Sequence, residues 1–140
     1  MPAKIPAPVC RKLEKAARQA AKASYSPYSK FRVGAAVLAG SGKIYSGTNV
    51  ENASYGLCNC AERTAIFTAV AAGERAVRAV AVYTPTSRAH APCGSFRQVI
   101  NEFGPHALVI SVCDSADRHE GTLDRLLPDA FGLLNLKSRR

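Results

Sequence analysis

The sequence contains no hydrophobic run of membrane-spanning length; its longest, residues 33–39, is strand-sized. The amino terminus is charged at Lys4 but has no apolar stretch behind it, which argues against a secretory signal. There is no internal repeat and no low-complexity segment. Nor is there an even set of cysteines. The five are Cys10, Cys58, Cys60, Cys93 and Cys113, so a disulfide framework is not expected. Clustered cysteines in such a chain suit metal binding or catalysis instead. These absences make a soluble, cytoplasmic protein with no membrane association the expectation. What is present fits one domain over 1–140: 140 residues are enough for a core, and 47% apolar content excludes disorder as the whole answer.

Acidic residues are scarce, with 10 Asp and Glu against 19 Lys and Arg and a net charge of +9. The excess sits at the ends. Residues 1–32 carry eight basic residues and one Glu, and the last four residues add Lys137, Arg139 and Arg140. The stretch 33–136 has eight basic and nine acidic residues and is nearly neutral. No aromatics interleave with the basic carboxy-terminal residues, as a single-strand track would need. The basic ends therefore read as solvated, and no nucleic-acid partner is expected.

Helical spacing of Val9, Leu13, Ala16, Ala17, Ala20 and Ala21 predicts a helix over 9–23, broken by the segment 24–29 with its proline and small polar residues. Residues 31–38 and 43–50 read as two strands of a hairpin turned at Gly40-Ser41-Gly42. A polar loop over 51–57 leads to the clearest helix, 59–72, with Gly73 as its stop. Strands follow at 76–83 and 107–113, separated by a loop at 84–91 and a short helix at 93–103. Residues 115–121 read as a surface loop, and 123–127 as a helical turn ended by Pro128. The alternation after residue 58 implies a parallel strand pair with a right-handed crossover. The hairpin adds an antiparallel pair, so the fold expected is α/β, a mixed sheet with helices on both faces.

Two short segments open helices after loops: Cys60-Ala61-Glu62-Arg63 and Pro92-Cys93-Gly94-Ser95-Phe96-Arg97-Gln98. In a sheet with parallel strands such loop ends gather at one edge, so the two can converge. A thiol at a helix start is biased towards thiolate, the form that binds zinc. Glu62, two residues after Cys60 in the first turn, could reach past a bound metal to shuttle a proton.

In this order the segments resemble the zinc nucleobase deaminase signature in its three-cysteine form, in which a C-x-E segment precedes P-C-x-x-C. The resemblance extends to the homotetrameric, zinc-dependent cytidine deaminases that act on free nucleosides. It is carried by residues 28–36, 49–55, 60–65 and 126–131, and covers about 9–132. It implies a three-layer α/β/α fold with a mixed five-stranded sheet and one zinc per chain. The implied reaction is hydrolytic deamination of cytidine and 2′-deoxycytidine in pyrimidine salvage. Position by position, Glu62 would be the proton shuttle, and Cys60 and Cys93 zinc ligands. Asn49 and Glu51 would hold the ribose 3′-hydroxyl, Phe31 would stack near the base, and the Ala61 backbone would bond the pyrimidine edge. Tyr55 and Phe131 would be lent to a neighbouring subunit's pocket, and Arg63 would hydrogen-bond the cysteine sulfurs.

One position departs from the pattern. Where the motif has its last cysteine, this chain has Phe96, which has no donor atom. Catalytic zinc usually has three protein ligands. Two thiolates on Zn²⁺ leave no net charge, whereas three leave −1. Cys58 is the nearest substitute in sequence and His90 another, while Cys113 falls in a strand and reads as core. The departure keeps two alternatives open beside the deaminase: a zinc-deficient homologue that only binds nucleosides, and a deaminase of another aminated nucleoside.

Overall fold

A computed structural model describes residues 4–133 and 136. The basic carboxy-terminal residues Lys137, Arg139 and Arg140 lie outside that set. Helix α1 spans Ala7–Ala21, two residues earlier at each end than helical spacing predicts. Proline in its first turn explains the early start: φ is already helical and no donor is needed there. Strands β1 (Gly34–Ala39) and β2 (Ile44–Thr48) form the expected hairpin, shorter at both outer ends. Residues 31–33 leave the ladder because the Asn49 side chain bonds them instead, accepting from Val33 N (3.0 Å) and donating to the Phe31 carbonyl (2.7 Å).

Helix α2 spans Ala61–Ala71, strand β3 Val77–Tyr83, helix α3 Gly94–Phe103 and strand β4 Leu108–Val112. Each is within two residues of expectation. The loop expected over 115–121 is corrected. Arg118–Thr122 forms β5, antiparallel to β4 with Val112 opposite Arg118. Its sequence, Arg-His-Glu-Gly-Thr, lacks the apolar residues that mark a strand, because it is an edge strand where charge deters pairing with another chain. A short α4, Leu123–Leu126, follows.

The sheet order is β2-β1-β3-β4-β5, with β3 and β4 parallel and every other pair antiparallel. Alternate residues of β1 face opposite layers. Ala35 and Val37 join Val80, Val82 and Val109 in a core covered by α2 and α3. Ala36 and Leu38 join Ala79, Ala81 and Ile110 beneath Leu13 and Ala17 of α1. Helices on both faces explain why β1 is buried at all six positions. Two glycines let helix and strand backbones touch. A Cβ on Gly34 would lie 1.9 Å from the Ala17 carbonyl oxygen, and one on Gly47 would lie 2.3 Å from the Ala65 nitrogen. Gly47 thus sets the seat of α2 on the sheet.

The register brings one set of segments to one edge. Gly34 pairs with both Thr48 and Tyr83, so the start of β1 and the ends of β2 and β3 coincide. Because α2 runs back before β3 and α3 follows it, both helix starts lie towards the carboxyl end of β3. The loops 24–33 and 49–60 arrive at the same edge.

Candidate active site

Helix α2 begins at Cys60, which caps it. Arg63 donates to the Cys60 sulfur from its backbone N–H (3.4 Å) and from Nε (3.3 Å), and from Nη2 to the Cys58 carbonyl (3.2 Å). Burial pushes the Cys60 thiol above its ordinary value, helped by the Glu62 charge and opposed by the Arg63 bonds. Of the cysteine sulfurs, Arg63 bonds that of Cys60. Cys58 turns away. Its sulfur accepts from Asn52 N at 3.3 Å and faces the Asn52 carbonyl at 3.6 Å.

Glu62 lies in the first turn of α2 and is 8% exposed. Burial lifts its carboxyl above the usual carboxylate range, against the pull of its own backbone N–H and of Arg63. A carboxyl so raised can keep a proton closer to neutral pH and pass it on, which a general acid/base must do. Ala61, at the first helical position, is fully buried. The first backbone N–H groups of a helix have no partner within it and are free to bond a ligand.

Helix α3 begins at Cys93, exposed and without a side-chain capping bond. Phe96, three residues on, is 0% exposed. It shares a core cluster with Ala61, Ala65 and Ile66 of α2 and with Ile100 and Leu123. Arg97 fixes this end of α3, donating to the carbonyls of Pro92 (2.7 Å) and Leu126 (2.8 Å). His90 is exposed, and Cys113 is buried just beyond β4, in line with its reading as core.

Asn49 and Glu51 are stitched to the 24–33 segment. Asn49 Oδ1 also accepts from Ser24 Oγ at 2.5 Å. Glu51 Oε1 accepts from the backbone N–H groups of Tyr28 (3.0 Å) and Ser29 (3.1 Å), and Oε2 from the Ser29 hydroxyl. The Ser29 hydroxyl is the main reason the Glu51 carboxyl sits below its ordinary value. Val50 pairs with Asn59 through two bonds of 2.9 Å, which ties this segment to the approach of α2. Phe31 is exposed at the rim, and the rings of Tyr28 and Tyr55 meet edge to face at 6.1 Å. Tyr55 is 74% and Phe131 59% exposed. The Phe131 carbonyl is held by Gln98 Nε2 (2.8 Å) and Asn101 Nδ2 (3.2 Å) of α3.

The fold therefore gathers Phe31, Asn49, Glu51, Tyr55 and the Cys60–Arg63 turn through direct bonds and the shared edge. Cys93 and Phe131 belong to the α3 side. Ser24 and Ser29 were given no site role from the sequence, where both read as helix breakers and Ser29 also as part of the 28–36 resemblance. No periodic signal could have found them, since their partners lie 22 to 25 residues away. Among the described residues no group of three or more His, Cys, Asp or Glu is arranged to hold a metal ion. No helix among them is long and apolar enough to cross a membrane.

Comparison with known proteins shows the family and the fold. Residues 9–112 match the family described as the cytidine and deoxycytidylate deaminase zinc-binding region. A cytidine deaminase of Halalkalibacterium halodurans is 48% identical over 120 residues, covering 85% of this chain and 91% of that protein. One from Sporosarcina psychrophila is 46% identical over 121 residues, covering 86% and 89%. The crystal structure of cytidine deaminase from Burkholderia pseudomallei superposes with a TM-score of 0.82 at 49% identity, covering 86% of this chain and 98% of that one. The five-stranded mixed sheet implied by the sequence resemblance is the sheet found.

Proposed function

The chain belongs to the cytidine and deoxycytidylate deaminase zinc-binding family, and on that premise we propose that it hydrolyses cytidine and 2′-deoxycytidine to the uridines. Water replaces the 4-amino group, and ammonia leaves. The observation that carries this reading is Glu62: a buried carboxyl, raised above its ordinary range, in the first turn of α2 beside Cys60.

The family implies zinc. Cys60 and Cys93 offer two thiols of the right kind, but the third place of the motif offers a phenyl ring. No set of three donors exists among the described residues. The donor set falls one short of the three usual for catalytic zinc.

What the chain's own groups supply is proton movement and binding. The attacking water must lose a proton, N3 of the ring must gain one, and the departing amine must gain another. Glu62 takes the first and delivers it to N3, then takes the proton of the new C4 hydroxyl and gives it to the amine as the C4–N bond breaks and the C4 carbonyl forms, so the carboxyl ends as it began. The Ala61 backbone meets the pyrimidine edge and Phe31 flanks the base. Asn49 and Glu51 take the ribose 3′-hydroxyl. Their polar atoms are bonded within the 24–33 segment in the free chain, so substrate either uses Glu51's remaining lone pairs or displaces one of those bonds. The free nucleoside rather than its phosphate is the substrate that the resemblance to the free-nucleoside deaminases implies, and it suits pyrimidine salvage in the cytoplasm. Tyr55 and Phe131, both strongly exposed, serve a neighbouring copy in a homotetramer.

The test is ammonia release from cytidine by the zinc-supplemented chain and by Glu62→Gln, purified side by side so that host deaminase contributes equally. The expected loss in the variant is at least about 100-fold, the lower end for removal of a general acid/base. Equal rates would end the Glu62 assignment.

A further inference from the structure

We infer that the cavity between the start of α1 and the β4–β5 edge binds an organic polyphosphate, a molecule of nucleotide size with an apolar body and clustered negative charge. The inference stands apart from the deaminase reading. The cavity lies on the α1 face of the sheet, whereas the helices that carry Cys60, Glu62 and Cys93 cover the other face.

The cavity measures about 590 Å³, within the range of small-molecule pockets. Ile5, Cys10 and Leu108 give it an apolar wall, packed against the α1-side core. Four cations, Lys4, Arg11, Arg78 and Arg118, line it with two carboxylates, Glu14 and Glu120. Arg118 takes both acids. It donates to Glu14 from Nη1 (2.8 Å) and Nη2 (3.2 Å), and to Glu120 from Nη2 (2.6 Å). Among the described residues no ion pair is left for Lys4, Arg11 or Arg78. Arg78 carries the argument. On β1, Leu38 stands opposite Ala79 and Ala39 opposite Val77, so no β1 residue opposes Arg78. An extra residue of this kind breaks the alternation of a strand and re-aims its side chain. Here it brings a half-buried arginine from a central strand to the same cavity as Arg11 of α1. A charge withdrawn from water without a partner is costly, and a bound anion supplies the partner. Guanidinium groups take phosphate oxygens two at a time, so Arg78 and Arg11 suit phosphate groups. A free phosphate would leave the apolar wall bare, whereas the base of a nucleotide covers it.

The experiment titrates the full chain with ATP by calorimetry, using tripolyphosphate and adenosine as probes of its two halves. ATP should bind once per chain. Tripolyphosphate should bind several-fold more weakly, and adenosine should not displace ATP. Arg78→Gln should weaken ATP binding about 10–100-fold, the worth of a hydrogen bond to a charged group. Arg11→Gln should weaken it about 2–5-fold, as for an exposed ion pair. Arg11 is exposed on α1, so its variant still decides the matter if Arg78→Gln does not fold. Replacing Lys137, Arg139 and Arg140 together by glutamine should leave the affinity unchanged, which separates the cavity from the basic carboxy terminus. Absence of ATP binding, binding unmoved by the arginine variants, or binding lost with the carboxy-terminal cations overturns the inference. Tripolyphosphate binding as tightly as ATP also overturns it, because the apolar wall would then contribute nothing.

Discussion

Ser29 gives Glu51 both its backbone N–H and its hydroxyl, and these bonds keep the carboxyl ionised below its ordinary range. A carboxylate with a depressed folded value favours the folded state above its unfolded pKa, and loses that contribution as pH falls through the folded value. Ser29→Ala removes the largest of the lowering causes, so the Glu51 titration should move up towards that of a free glutamate. NMR titration of the Glu51 carboxyl carbon reads this directly. If Glu51 holds the ribose, the acid limb of kcat/KM for cytidine moves up with it and KM at neutral pH rises several-fold, with kcat little changed. An unmoved Glu51 titration and an unchanged KM in Ser29→Ala would remove Ser29 from the site. Residues 60–63 were legible in the sequence because a capping cysteine and a first-turn glutamate are neighbours in the chain. Ser29 was not, because its chemistry begins only when β1 and β2 bring residue 51 back to residue 29.

Gly47 and Gly34 carry the comparable argument for elements, because each lets one helix rest directly on the sheet. A methyl group at residue 47 would press on the backbone of α2 at Ala65, Thr64 and Ala61, and one at residue 34 on α1 at Ala17 and Ala21. Each Gly→Ala change is expected to cost about 1–3 kcal/mol, the usual price of overpacking, as read by urea unfolding. Their effects on turnover should differ. Gly47→Ala shifts the helix that carries Cys60 and Glu62 and should lower kcat of the folded protein. Gly34→Ala shifts a helix with no proposed site residue and should leave kcat closer to wild type. Equal losses of kcat would mean that α2 is not positioned through Gly47. The helices and the central strands were legible because apolar spacing reports burial on both faces. Strand β5 was hidden because an edge strand is specified by its pairing to β4, and its side chains advertise only solvent. The early end of the β1 ladder was hidden for a related reason: a side chain, Asn49, takes the place of a strand partner at Val33 and Phe31.

Large apolar side chains remain exposed on the site-edge segments, among them Tyr28, Phe31 and Tyr55, on α2 at Phe67 and at Phe131 near the carboxy end. Apolar surface gathered on functional segments marks an interface, and closed symmetric assemblies of one chain are its commonest form among soluble oligomers. For the proposed homotetramer, four chains of 14.9 kDa, light scattering should give about 60 kDa. Mass alone does not say whose pocket Tyr55 completes, but mixing does. Tyr55→Ala and Glu62→Gln homotetramers should each be impaired, the first through a missing wall and the second through a missing proton carrier. If Tyr55 crosses to a neighbour, tetramers reassembled from both variants contain pockets with an intact Glu62 from one chain and an intact Tyr55 from the next. Ammonia release should then exceed the average of the two parents. If Tyr55 serves its own chain's Glu62, every mixed pocket lacks one group and the average is not exceeded. The free chain favours the first outcome: Tyr55 is 74% exposed, and the contact recorded for its ring is the edge of Tyr28, itself on the surface.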